Sequence, residues 1–232
     1  MPENITYLTG RKAYEFRPDD LRLSALSVKP VQDAIQELFH FQSSAIGTPM
    51  STFGEVPLTI PPGIVFNTGV WQMADNQFAP IRFLHFEPRR IVIDLAGPST
   101  TLTAIFDQLQ HFFAEIHTAD GAPLIGTPDK ILDYSEISAR FPFSLDAILL
   151  EPLRKILSSI AKEPILAPTL IVKPYSNLRE LPGTAIPGDA HAFTLSSRAG
   201  TRPEDHIYFS SAPLDSAAHL NYLNDLEAAL TS

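Results

Sequence analysis

The chain has 232 residues, 44% hydrophobic and 19% charged, with a formal net charge of −9. That balance describes a globular protein with enough apolar material for a sizeable core. The negative charge weighs against nucleic-acid binding, which rests on Lys and Arg neutralising phosphates, and the absence of cysteine excludes disulfides, thiolate metal sites and a cysteine nucleophile. Residues 1–26 lack the apolar core of a signal peptide, and no apolar run reaches about 18 residues. A soluble, cytoplasmic protein with no membrane partner is expected.

Residues 1–19 read as a loose N-terminal arm. Residues 21–28 alternate, with Leu21, Leu23 and Ala25 on one face and Arg22 and Ser24 on the other, as a strand would. Lys29-Pro30 opens a helix, proline being suited to the first turn, and Val31, Ile35, Leu38 and Phe39 supply its apolar stripe. Four strands follow. In the first, Val56, Leu58 and Ile60 alternate, and Pro57 confines it to a sheet edge. The second covers 64–71. The last two, 81–86 and 90–95, flank the hairpin turn Glu87-Pro88-Arg89. Gly97-Pro98-Ser99 then starts a helix whose stripe, Leu102, Ile105, Phe106, Leu109, Phe112, Phe113 and Ile116, is the clearest amphipathic signal in the chain.

Residues 118–133 read as a linker, with Gly and Pro concentrated at its start. The order then begins again. A strand covers 134–141. Ser144 caps a helix, in which Pro152 forces a kink or a restart. Strands are expected at 169–172, near Thr184, at 191–197 and at 206–210, and Asp215 caps a last helix.

This recurrence has a shared offset. Leu23-Ser24-Ala25 returns as Ile137-Ser138-Ala139, Asp33-Ala34-Ile35 as Asp146-Ala147-Ile148, and Ile93 and Leu95 as Ile207 and Phe209. Phe106, Leu109, Phe112 and Ile116 return as Leu220, Leu223, Leu226 and Leu230, all about 114 residues on. Self-similarity of this kind marks duplicated architecture. The expected fold is α+β: two similar halves, 20–117 and 134–232, each an antiparallel curved sheet with helices packed on one face. Side by side they make one continuous saddle or groove. The element order resembles the duplicated unit of the TATA-box-binding-protein-like fold, and more loosely the tandem ligand-binding domains of the GyrI-like type. No family motif accompanies the resemblance, so it implies a shape and carries over no functional residue.

The chain has no G-x-S-x-G elbow, no P-loop and no G-x-G-x-x-G turn. Two histidine–carboxylate pairs, His85 with Glu87 and Asp189 with His191, have the i, i+2 spacing that puts both side chains on one face of a strand. They allow a metal-assisted hydrolase as an alternative. His40, His111 and His219 fall on apolar helices and read as core-edge or surface residues. The more informative surface is the helix-free face of the sheet. Alternation places Arg22, Ser24, Asn67, Arg82, Asp94, Glu136, Ser138, Arg140 and Tyr208 there, with Trp71 closing a strand nearby. The leading expectation is a non-enzymatic protein without a cofactor, binding a protein segment or a small ligand in that groove through Arg22, Trp71, Arg82, Asp94, Glu136, Arg140 and Tyr208.

Overall fold

A computed structural model describes residues 1–47, 50–53, 56–59, 63–72, 77–116, 121, 123–149, 151–161, 168–172 and 192–231. In chain order its strands are β1 (Glu3–Glu15), β2 (Ser43–Gly47), β3 (Met50–Phe53), β4 (Val56–Thr59), β5 (Gly63–Gln72) and β6 (Phe78–Glu87). There follow β7 (Arg90–Leu95), β8 (Lys130–Arg140), β9 (Leu170–Val172), β10 (Phe193–Ser197) and β11 (Ile207–Ala212). The helices are α1 (Leu23–Leu26), α2 (Lys29–Leu38), α3 (Thr101–Ala114), α4 (Glu151–Ala161) and α5 (Ser216–Thr231). Among the described residues, nine strands form one open antiparallel sheet in the order β2-β5-β6-β7-β1-β8-β11-β10-β9, and β3 pairs with β4 as a separate hairpin.

The central strand is β1, which the sequence reading left as an arm. It pairs with β7 on one side and β8 on the other. Ile5, Thr6, Tyr7, Thr9 and Tyr14 have the β-branched and aromatic character of a strand, but Gly10, Arg11 and Lys12 interrupt the apolar alternation. Both of its faces carry unusual neighbours. On the helix side, Gly10 runs beneath the start of α3, where a Cβ would lie 2.5 Å from the Ser99 nitrogen. On the other side, Thr9 and Arg11 belong to a polar network.

Other expectations shift with β1. Residues 23–26, expected in a strand, form the short helix α1. The match of Leu23-Ser24-Ala25 to Ile137-Ser138-Ala139 therefore pairs a helix with a strand. The end of the expected linker, from Lys130, is the first third of β8. Ser144 caps a 3-10 turn, Leu145–Ile148, through the Asp146 N–H, and the helix restarts at Glu151 with Pro152 in its first turn. Asp215 caps α5 by accepting from the N–H groups of Ala217 and Ala218. The strand expected near Thr184 lies outside the described residues.

Two apolar cores pack against the same side of the sheet. The first lies between β5, β6, β7 and β1 and the helices α2 and α3, where Leu102, Ile105, Phe106, Leu109 and Phe113 are buried. Its phenylalanines form a continuous chain: Phe41 contacts Phe66, Phe66 meets Phe86 edge-on, and Phe86 meets Phe113 edge-on. Tyr14 stacks on Phe106 with ring centroids 3.6 Å apart. Each such side chain removed from water contributes roughly 1.5–3 kcal/mol before cavity effects. The second core joins Ile137, Ala139, Leu195 and Tyr208 of the sheet to Leu223 of α5 and to Phe141, Phe143 and Leu145.

The starts of α3 and α5 bind each other reciprocally. The Ser99 N–H donates to Ser216 Oγ at 2.7 Å, and the Ser216 N–H donates to Ser99 Oγ at 2.8 Å. Both residues are buried, so the Ser216 N–H at the start of α5 and the Ser99 N–H just before α3 are each satisfied by the other segment.

Candidate functional site

The side of the sheet away from the helices follows from strand alternation. On β1 it carries Thr9, Arg11 and Ala13; on β6, Phe83, His85 and Glu87; on β7, Arg90, Val92 and Asp94; on β8, Tyr134, Glu136 and Ser138; on β11, Phe209 and Ser211. This face has two regions. Over β6 and β7, His85, Glu87, Arg90 and Val92 are all buried. Over β1, β8 and the adjoining ends of β6 and β7, the surface is partly open.

The open region holds one connected network. Asp94 is 1% exposed and binds two guanidinium groups. Arg11 reaches its Oδ2 through Nε at 2.8 Å and Nη2 at 2.6 Å. Arg82 reaches its Oδ1 through Nε at 3.0 Å. Arg82 Nη2 also donates to the Leu8 carbonyl and Thr9 Oγ1, both at 2.7 Å, and to the Leu95 carbonyl at 3.3 Å. The Thr9 hydroxyl donates a hydrogen bond to Glu136, and the Tyr134 hydroxyl donates to Glu136 at 2.8 Å. Arg11 lies between two rings, 5.5 Å from the centroid of Phe83 and 5.6 Å from that of Tyr134, in reach of both π-faces. The row continues through Ser211, paired with Glu136, to Thr194, whose hydroxyl lies 2.7 Å from that of Ser211.

Burial presses the Asp94 pKa above the ordinary carboxylate value, and the two arginines press it back down. Two guanidinium groups on one buried carboxylate are what keep a charge there tolerable, because an unpaired charge in that position would cost several kcal/mol. Burial, and then the neighbouring Glu136, raise the Tyr134 pKa, so its hydroxyl stays a proton donor.

Three of the residues expected from sequence, Arg82, Asp94 and Glu136, are brought together. The others are not. Arg22 stands at the start of α1, off the sheet. Trp71 faces the helices, its Nε1 donating to Gln108 of α3 at 2.5 Å, and packs on the first core. Arg140 is exposed at the end of β8. Tyr208 is 3% exposed in the second core, and its hydroxyl bonds the Phe143 carbonyl and the Leu145 N–H, each at 3.0 Å. The reason is a phase error of one residue: Ile207 and Phe209 face outward while Tyr208 and Ser210 face the core, and a one-residue shift exchanges every face of a strand. Thr9, Arg11, Phe83 and Tyr134 were missed; the first two lay in the supposed arm, where β-branched and aromatic enrichment was the available signal.

For the metal alternative, His85 Nδ1 lies 3.3 Å from Glu87 Oε1, but Arg90 holds the same carboxylate with two bonds, at 2.9 and 3.0 Å. A cation placed on Glu87 would meet that guanidinium. Asp189 and His191 lie outside the described residues. Among the described residues no three His, Asp or Glu side chains are placed to hold a metal ion.

His219 is fully buried on α5, between Ser135 Oγ at Nδ1 and Ser210 Oγ at Nε2, both at 2.8 Å. Burial lowers its pKa to about 4. Exposed apolar side chains also occur on two other elements: Leu153 and Ile156 of α4 are 45% and 56% exposed, and Ile171 of the edge strand β9 is 49% exposed. Among the described residues no helix is long and apolar enough to cross a membrane. No family model, no curated protein and no solved structure matches the chain.

Proposed function

We propose that the chain is a binding protein whose helix-free sheet face receives a small ligand or an extended protein segment at the Arg11–Arg82–Asp94–Glu136 network. One observation carries this reading. Charged and aromatic side chains from four strands converge on a partly open patch and hold one another in fixed orientations, which lowers the ordering cost of binding. A few oriented polar groups beside apolar rings are what ligand sites require.

The same reading takes the chain as internally duplicated, with β1 and β8 as corresponding strands. Outward from that pair the sheet runs β7-β6-β5-β2 on one side and β11-β10-β9 on the other. This order, and the reciprocal Ser99–Ser216 contact, support two related halves joined as one saddle, in the manner of the TATA-box-binding-protein-like fold. Fold likeness does not bring function with it, and the net charge of −9 favours a ligand other than nucleic acid.

The test is retention. Purified protein is equilibrated with a cell extract separated into small-molecule and peptide fractions, washed, and its bound species are measured by mass spectrometry. The reading expects species held by the native chain and lost from an Arg82→Ala, Glu136→Gln variant of unchanged circular dichroism. Identical retention by both would overturn it.

A further inference from the structure

We propose that the outward edges of Arg11 and Arg82 form a docking position for the carboxylate of a small organic acid, with Phe83 and Tyr134 receiving its apolar part. The inference rests on the reading of this face as a binding surface and names the chemistry bound there.

The two guanidinium groups are side by side because each engages a different oxygen of one carboxylate, Arg11 on Asp94 Oδ2 and Arg82 on Oδ1. Arg11 uses Nε and Nη2 on Asp94, Arg82 uses Nη2 for hydrogen bonds and Nε for its ion pair with Asp94 Oδ1, and neither Nη1 has a hydrogen-bond or ion-pair partner among the described residues. The side chains remain 25% and 46% exposed. These donors are therefore fixed by the fold, and a ligand need not order them. A planar guanidinium edge matches a planar carboxylate, and paired donors add direction as well as attraction.

Charge sets the ligand's limit. Asp94 and Glu136 together balance the two guanidinium groups, so the pull on an anion comes from the outward Nη1 donors and not from a net positive charge. Glu136 stands just beyond Thr9, with its oxygens taken by the Thr9 and Tyr134 hydroxyls. A single carboxylate adds one negative charge to this balanced network, whereas a phosphate dianion adds two and meets about twice the repulsion from Glu136. The remaining negative charge of the chain acts weakly beyond about 8 Å at physiological salt. The rings that enclose Arg11 lie beside the docked group, so an aromatic acid gains contact that acetate cannot.

The experiment titrates the intact protein with sodium benzoate, sodium acetate, sodium phosphate, and sodium chloride at matched ionic strength, reading the Arg11 and Arg82 Nε–H resonances by NMR. Saturable shifts are expected with benzoate, about tenfold tighter than with acetate, and weaker still with phosphate. Arg82→Lys should weaken benzoate by about tenfold, since the Nη1 donor that the Nε and Nη2 contacts hold in place is lost. Phe83→Leu should bring the benzoate-to-acetate ratio towards one. Shifts that chloride reproduces, that do not saturate, or that keep the native affinity in Arg82→Lys would overturn the inference. If carboxylates fail while species retained from the extract still perturb Thr9 and Glu136, the inference falls and the binding reading stands. If nothing perturbs this face, both fall.

Discussion

Acidification of the protein tests the burial of His219 quantitatively. The ring sits between Ser135 and Ser210, whose hydroxyls also lie 2.8 Å from the carbonyls of Leu214 and Thr194. A neutral imidazole and two hydroxyls supply three protons to these four contacts, so one serine must choose between ring and carbonyl. Protonating the ring would fill all four, but it would place a cation where exposure is 0%. Burial wins, and the pKa falls from 6.5 to about 4. The sign follows. As pH drops, the unfolded chain takes the proton first, so the stability due to the neutral ring is complete above about pH 6.5 and is lost between there and about pH 4. A shift of that size corresponds to ~3 kcal/mol. Burial also raises the pKa of Asp94 and Glu87. Their effect is opposite, present at low pH and lost as pH rises through their folded values, so the native curve alone mixes the two. The informative quantity is the difference between the native chain and His219→Gln in urea titrations from about pH 7 to about pH 4.5. The native chain should lose about 2 kcal/mol more than the variant over this range, the rest of the effect falling below it. Parallel curves would refute the reasoning.

Leu109→Ala should cost about 2–5 kcal/mol in a denaturant titration, because the side chain is fully buried on α3 and the cavity adds to the lost transfer energy; a change under about 1 kcal/mol would mean the stripe is not core. Gly10→Ala should lower the melting temperature and cost at least ~2 kcal/mol, since the new methyl meets the Ser99 backbone at 2.5 Å and backbone yields little. An unchanged melt would show that α3 can move away. Arg90→Ala should destabilise by about 3–5 kcal/mol, by removing the fork that holds buried Glu87. The added change Glu87→Gln should recover part of that loss in a double-mutant cycle, and no recovery would mean the charge itself is not the cost.

The parts of the fold that alternate or repeat cleanly were legible. The strand expected over 90–95 and the helix stripe from Leu102 to Phe113 lie where the pattern put them, because one face of each meets a dry core. The centre of the sheet was not legible. On β1 a glycine is required by the approach of Ser99, Lys12 on the same face pairs with Asp133, and Arg11 serves a network on the opposite face, so neither face of that strand reads as apolar. Tyr208 and Ser210 misled for a related reason. The second core accepts a serine because His219 needs its hydroxyl, and Phe209 stands outward in its place. Asp94 and Glu136 were recoverable as outward positions of ordinary strands, whereas Arg82 joins them because the register of β6 shifts between Ile81 and Phe83. Arg11 and Tyr134, which complete their network, lay in segments read as arm and strand edge.

The central claim is that ligands meet this protein on the helix-free face of its sheet. It is tested most directly by mapping backbone amide shifts on addition of the species that the native chain retains from the extract. The account predicts shifts clustered on Thr9, Arg11, Phe83, Tyr134, Glu136 and Ser211. Shifts confined instead to Leu153 and Ile156 of α4 and Ile171 of β9 would contradict it and assign recognition to those exposed apolar side chains.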